Sequence, residues 1–330
     1  MLALVEITAW HWVAFIACIL VFLALDLGLF HRKAHVVKFK EALCWTLVWV
    51  VVAILFALLL GWFRGKHDAL AFTTGYFIEL SLSIDNVFVI ALIFARFRVP
   101  SEFQHRVLFW GILGALIMRG LMIWAGIQLI NRFDWVLYGL GLLLLFAGIK
   151  MLFSKGESDP EKSRVLIIAR KFLPVSKEFD GQKFITLVNG RKFLTPLFLV
   201  LLMVETTDLI FAVDSIPAIF GVTRNPFIVF TSNVFAILGL RSMYFVLAGA
   251  IGLFKYLNVG LSVILIFIGT KMLIDPHDNP PRWFQYDIPD SASLLTVVTI
   301  IAIAVLASLV SARREKAHAA IAQGKPGKLP

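Results

Sequence analysis

The stretch Glu79-Leu-Ser-Leu-Ser-Ile-Asp-Asn-Val-Phe-Val89 holds two carboxylates, Glu79 and Asp85, inside the apolar run 70–94. A helix needs about 20 apolar residues to cross a bilayer, and this run is long enough. A charged side chain at mid-bilayer costs roughly 2.5–3.5 kcal/mol on insertion scales, so acids retained there need a compensating role. Outward from this run the chain reads as nine such spans, at 10–30, 42–63, 70–94, 107–130, 135–153, 195–221, 227–250, 256–274 and 292–312. The first has no basic leading region and no small-residue cleavage site, and Asp26 lies within it, so it reads as a span and not as a cleaved signal peptide.

Composition agrees. Of 330 residues, 60% are hydrophobic and only 16% are charged. Soluble domains average about 45–50% apolar and about 25% charged, so a water-soluble fold could not hide this much apolar surface. The numbers exclude disorder, collagen and coiled coil equally. Only Cys18 and Cys44 are present, which excludes a disulfide scaffold.

The net charge of +10 is a topology signal and carries no implication of nucleic-acid binding. Twenty-three of the 31 Lys and Arg fall in the segments 31–41, 95–106, 150–194 and 251–255 and in the C-terminal tail. Six fall on the opposite side, and Arg119 and Arg241 lie within spans. Basic residues collect on the cytoplasmic side, which puts the N-terminus outside and the C-terminus inside a plasma membrane, the inner membrane of a bacterium.

An internal repeat is legible. Gly111-Ile-Leu-Gly-Ala-Leu-Ile-Met-Arg119 resembles Asn233-Val-Phe-Ala-Ile-Leu-Gly-Leu-Arg241, and Phe146-Ala-Gly-Ile-Lys-Met-Leu152 resembles Phe267-Ile-Gly-Thr-Lys-Met-Leu273. Upstream, Glu79 and Asp85 are spaced like Asp208 and Asp214. Each unit holds three spans, and an odd number forces consecutive copies into opposite orientation, as in secondary transporters with a site at the repeat interface. The expected fold is therefore all-α: a polytopic membrane protein of about nine transmembrane helices with two inverted three-helix repeats. Its parts are two N-terminal helices (1–69), repeat one (70–153), a cytoplasmic loop insertion (154–194), repeat two (195–274), and an outer loop, last helix and cytoplasmic tail (275–330). Within the insertion, Phe184-Ile-Thr-Leu-Val188 before Asn189-Gly190 predicts a β-hairpin.

Six acids lie in spans: Asp26, Glu79, Asp85, Glu205, Asp208 and Asp214. Arg119 and Arg241 can neutralise two, as structural salt bridges, and the remainder calls for a cation or protons. Glu79, Ser83 and Asn86 share one helical face, as do Glu205, Asp208 and Ser215, whereas Asp85 and Asp214 are turned about 120° away and lie about 9 Å further along. Either the site has two levels or a helix is broken, and Pro217 offers a break. Asn233 reads as an interhelical hydrogen-bonding group. The candidate metal-binding set is Glu79, Asp85, Asn86, Glu205, Asp208, Asp214 and Ser215, with Asp26, Arg119 and Arg241 secondary or structural. Hard oxygen donors suit Mg, Ca or Mn and do not separate them. No flavin or haem motif and no CxxC is present, and Asp214-Ser215 lacks a nearby His base, so neither an organic cofactor nor an enzyme is expected.

Glu79–Val89, Glu205-Thr-Thr-Asp-Leu-Ile-Phe-Ala-Val-Asp-Ser-Ile-Pro-Ala-Ile219 and Arg241-Ser-Met-Tyr-Phe245 resemble the signature stretches of the TerC family, and the similarity runs from about residue 42 to 274. The nine-span layout and basic first loop are most similar to its Alx branch. The resemblance implies a membrane protein of manganese homeostasis that exports Mn²⁺ by alternating access, with protons as a candidate counter-ion. Its partners would be the lipid bilayer and the divalent cation. The family's tellurium-resistance and redox-modulator labels imply a second reading, a non-transporting membrane partner in a redox or stress-response assembly. An acidic membrane interior has the wrong sign for a tellurite oxyanion.

Overall fold

Among the described residues the main chain forms nine helices and one short hairpin: α1 (Ala9–Leu25), α2 (Phe39–Arg64), α3 (Lys66–Arg96), α4 (Ser101–Arg132), α5 (Trp135–Phe153), β1 (Ile185–Val188), β2 (Arg191–Leu194), α6 (Pro196–Phe220), α7 (Pro226–Ala248), α8 (Leu257–Ile274) and α9 (Asp290–Ala322). The structure is a computed structural model and describes residues 7–25, 39–133, 135–153, 166, 171, 173–176, 178–188, 190–248, 256–275, 285–286 and 288–322. Asp26 lies outside the described residues, and Asp85 is described in its helical backbone only. Among the described residues eight helices are long and apolar enough to cross a membrane, and α1 is apolar but shorter, at 17 residues.

Local chemistry sets the ends. Gly65, at φ +95°, takes a left-handed conformation that reverses the chain between α2 and α3 in one residue. Pro196 and Pro226 open α6 and α7, where a missing amide hydrogen costs nothing. α6 runs unbroken through Pro217, so the break that this proline offers is not taken. The proline falls in the last turn, so the bond it removes lies where the helix is already ending. The hairpin is present as predicted, with Val188 paired to Arg191 and Gly190 at φ +74° in the turn. It is rooted on α6 by Thr195, whose hydroxyl donates to the Lys183 carbonyl. Beside it, hydrogen bonds from Thr186 and Lys183 hold the Asp180 carboxyl below the usual carboxylate range.

The strongest packing is between the repeats. α5 lies along α8, α3 along α7, α4 against α6 and α7, and α3 against α6. In the register that equates Lys150 with Lys271, Gly148 corresponds to Gly269 and Gly141 to Ser262. A β-carbon on Gly148 would lie 2.8 Å from the Ser262 carbonyl oxygen, and one on Gly269 would lie 2.8 Å from that of Gly141. The same contact is thus made twice with the partners exchanged, which is the signature of a two-fold relation. α7 is the central helix, enclosed on nearly all sides, while α2 and α9 turn residues such as Leu58, Leu59, Ile303 and Leu306 outward. That outer apolar belt is the surface a bilayer covers.

Candidate functional site at Arg119

Arg119 sits midway along the apolar stretch of α4 and is 1% exposed. An arginine at that depth needs acceptors for its five N–H groups, since burying an unpaired charge is prohibitive. Repeat two supplies most of them. Nε donates to Oδ2 of Asp208 at 3.2 Å and Nη2 to Oδ1 at 2.8 Å, a bidentate pair. Nη1 donates to Oε1 of Glu79 on α3, to Oγ of Ser215 at 3.3 Å and to Oδ1 of Asn233 at 3.5 Å. Asn86 adds a bond from its side-chain amide to Oδ1 of Asp208 at 3.4 Å. One guanidinium therefore ties α3 to α6 and α7, joining an acid from each repeat. The salt bridging expected of Arg119 is present, as is the interhelical bond expected of Asn233.

Helical spacing explains who meets. Asp208 and Ser215 are seven residues apart on one face of α6, and Glu79 and Asn86 are likewise seven apart on α3. Both faces point at Arg119. Glu205, one turn before Asp208, stands beside them, and the charges of the two acids reach each other. Its carboxylate lies directly over Gly114 of α4, where a β-carbon would overlap Oε1. Glu205 has no ion-pair partner among the described residues, and its Oε2 is buried without a hydrogen bond.

Unmade bonds cluster on one side of α3. Oε2 of Glu79, Oγ of Ser83 and Oδ1 of Asn86 are all buried and unpartnered. These residues recur at i, i+4 and i+7 and line about 10 Å of one helical face. A buried polar atom left unsatisfied costs roughly 1–3 kcal/mol. Three in a row are oxygens able to accept from water or to coordinate a hard cation.

Asp85 and Asp214 stand on the backbone at other levels than this cluster. Asp85 follows Glu79 by six residues and Asp214 follows Asp208 by six, about 9 Å along each axis. α3 and α6 run in opposite directions, so the two acids diverge toward opposite membrane faces. Among the described residues no three of His, Cys, Asp and Glu stand close enough together to hold a metal ion. Arg241 is buried on α7 at the position equivalent to Arg119 and makes interactions of its own. Gly114 was not singled out from the sequence. Its only signal is a glycine inside a span, three residues after Gly111.

Comparison with known proteins agrees with the architecture. The profile of the family described as integral membrane protein TerC matches residues 64–316. An uncharacterized membrane protein of Myxococcus xanthus is 50% identical over 304 residues, 92% of each chain. A protein of Escherichia coli K12 described as a candidate membrane-bound redox modulator, Alx, is 47% identical over 300 residues, 88% of this chain and 91% of its own. An uncharacterized membrane protein of Rickettsia felis is 39% identical over 300 residues, covering 91% and 97%. No solved structure matches this chain.

Proposed function

We propose, from the premise that this chain belongs to the TerC family of integral membrane proteins, that it exports a divalent metal cation, with Mn²⁺ as the cargo. The observation that carries the reading is the row of unpartnered buried oxygens of Glu79, Ser83 and Asn86 beside an arginine-bridged pair of acids at mid-span. Neutral and anionic oxygens without a sulfur or imidazole ligand match Mn²⁺, and they match Mg²⁺ and Ca²⁺ as well. Glu205, three residues before Asp208, holds a further buried carboxylate oxygen at this level without a cation of its own.

In this reading the ion rests at the central level, between α3 and α6. Asp85 and Asp214, displaced toward opposite faces, serve as acidic stations on the way in and out. The N-terminus is outside and the C-terminus cytoplasmic, so cargo enters from the side of the basic loops. Alternating access then involves the facing stretches of α3 and α6. The interlocked packing of the repeats opposes a rigid rocking of one against the other. Protons are the candidate counter-ion, taking the carboxylates that cargo leaves.

The arginine bridge also supports a second reading, in which the network is a static polar core and the protein serves a membrane assembly without moving an ion. The redox description belongs to the Alx relatives. Here the cysteines are Cys18 and Cys44, both exposed on the outer helices, so a redox role would need a partner's chemistry.

Purified protein in liposomes separates the two. Export predicts Mn²⁺ flux that falls in Glu205→Gln and Asp208→Asn. In cells, Asp85→Asn and Asp214→Asn should retain manganese. Flux no greater than in empty liposomes would defeat the transport reading.

A further inference from the structure

We propose that Arg119 is a resident stand-in for the cargo: it occupies the coordination sphere that a divalent cation takes, and on loading it moves to Glu205. The inference rests on the reading of the site as a divalent-cation carrier.

The acceptor set is the first argument. The atoms around the guanidinium are both carboxylate oxygens of Asp208, Oε1 of Glu79, Oγ of Ser215 and Oδ1 of Asn233. All five are hard oxygens, two of them from one bidentate carboxylate. That is the ligand inventory of a six- to eight-coordinate oxygen site. While Arg119 holds it, the open oxygens on α3 are Oε2 of Glu79 and the neutral oxygens of Ser83 and Asn86, and one half-occupied carboxylate is too little for a dehydrated divalent ion. Cargo can take Asp208 only if Arg119 gives it up.

The second argument is that a place exists for the displaced arginine. Glu205 precedes Asp208 by three residues, about 4.5 Å along α6. α4 and α6 are separated by two reversals and run in the same direction. Glu205 therefore lies toward the N-terminal end of α4 from Arg119, and long helical side chains lean that way. Its carboxylate rests on Gly114 of α4, in space any larger residue would fill. Its Oε2 is buried and unpartnered, an acceptor already in position. Removal of Arg119 from the Asp208–Glu79 pair would thus complete one buried bond as it breaks others.

Two properties follow. Arg119 competes with cargo and so lowers its apparent affinity, which favours release at the far side, since a carrier must bind weakly enough to let go. Loading also frees α4, the helix that carries Arg119, from Glu79 on α3 and Asn233 on α7, which couples occupancy to conformation through one side chain.

The test is Mn²⁺ binding by calorimetry to the purified full-length protein in nanodiscs, with no other ligand present. Arg119→Gln removes the competitor and should bind Mn²⁺ about tenfold more tightly, the factor expected if the unloaded bridge is populated nine times in ten. The same variant should be slower in net flux. Glu205→Gln removes the acceptor for the displaced arginine and should weaken binding, but not when combined with Arg119→Gln. A merely structural arginine predicts the opposite: weaker binding in Arg119→Gln and independent effects in the double variant. Should Arg119→Gln fail to fold, Arg119→Lys replaces it, because one ammonium cannot grip both oxygens of Asp208 and Glu79 together. Affinity in that variant should rise, and unchanged or weaker affinity overturns the proposal. If the wild-type protein binds no Mn²⁺, Mg²⁺ or Ca²⁺, the carrier reading falls with it. If the wild type binds and neither Arg119 variant binds more tightly, this inference falls alone.

Discussion

Gly269 on α8 rests so close to the backbone carbonyl of Gly141 on α5 that a β-carbon there would stand 2.8 Å from the oxygen. The facing atom is main chain and cannot rotate away. Gly269→Val should therefore push the two helices apart and cost at least the roughly 1–3 kcal/mol typical of an overpacked core. Thermal unfolding in detergent should report the loss. Gly139→Ala, on the same helix α5, is the control, because its β-carbon meets nothing within 4 Å and alanine favours the helix. Equal melting of the two variants would refute this account of the α5–α8 seam.

Gly114→Ala probes the other kind of glycine. Its β-carbon would fall on the Glu205 carboxylate, the far end of a flexible side chain. The fold should survive, with melting little changed, while Glu205 is forced from its place. Mn²⁺ binding and liposome flux should both drop. Wild-type values for both would mean that the position of Glu205 does not matter to the site.

Removing one side of the buried ion pair should be worse than removing both. Arg119→Gln leaves Glu79 and Asp208 facing one another, and breaking such a pair costs roughly 3–5 kcal/mol. Adding Asp208→Asn should recover a large part of that loss. A denaturation series over the two single variants and the double gives the coupling directly, and additive losses would argue that Arg119 and Asp208 do not depend on each other.

The 23 basic residues grouped in alternate segments and the C-terminal tail predict a cytoplasmic C-terminus. A fluorescent protein fused after Pro330 should fold in the cytoplasm and glow. A cysteine placed near Arg132, in a background without Cys18 and Cys44, should react with an impermeant reagent added outside intact cells. A dark fusion together with a protected Cys near Arg132 would reverse the assignment.

The spans were legible because hydropathy and length are local properties, and the hairpin because Asn189-Gly190 sets its own turn. α4 begins at Ser101, six residues before the predicted span, since His105 and Arg106 leave an apolar window but not a helix. The faces that meet at Arg119 could be read from spacing on α3 and α6. The divergence of Asp85 and Asp214 could not, because it depends on two antiparallel helices meeting at Glu79 and Asp208. The seat of Glu205 on Gly114 was equally hidden: it belongs to the packing of α4 on α6, and a glycine's spacing along one helix does not identify what fills the space above it.

The exchange of partners between Gly141, Gly148, Ser262 and Gly269 bears on how such a chain could arise. Three helices whose principal contacts are all to a copy of themselves have little reason to hold together alone. An ancestor of one repeat would have been stable only as an antiparallel two-fold pair, inserted in both directions in the same membrane. Its folding would have depended on its own concentration. Fusing two copies into one gene fixes their opposite senses and removes that dependence. Each copy is then free to differ, which is how Tyr76 comes to stand where the second copy carries Glu205.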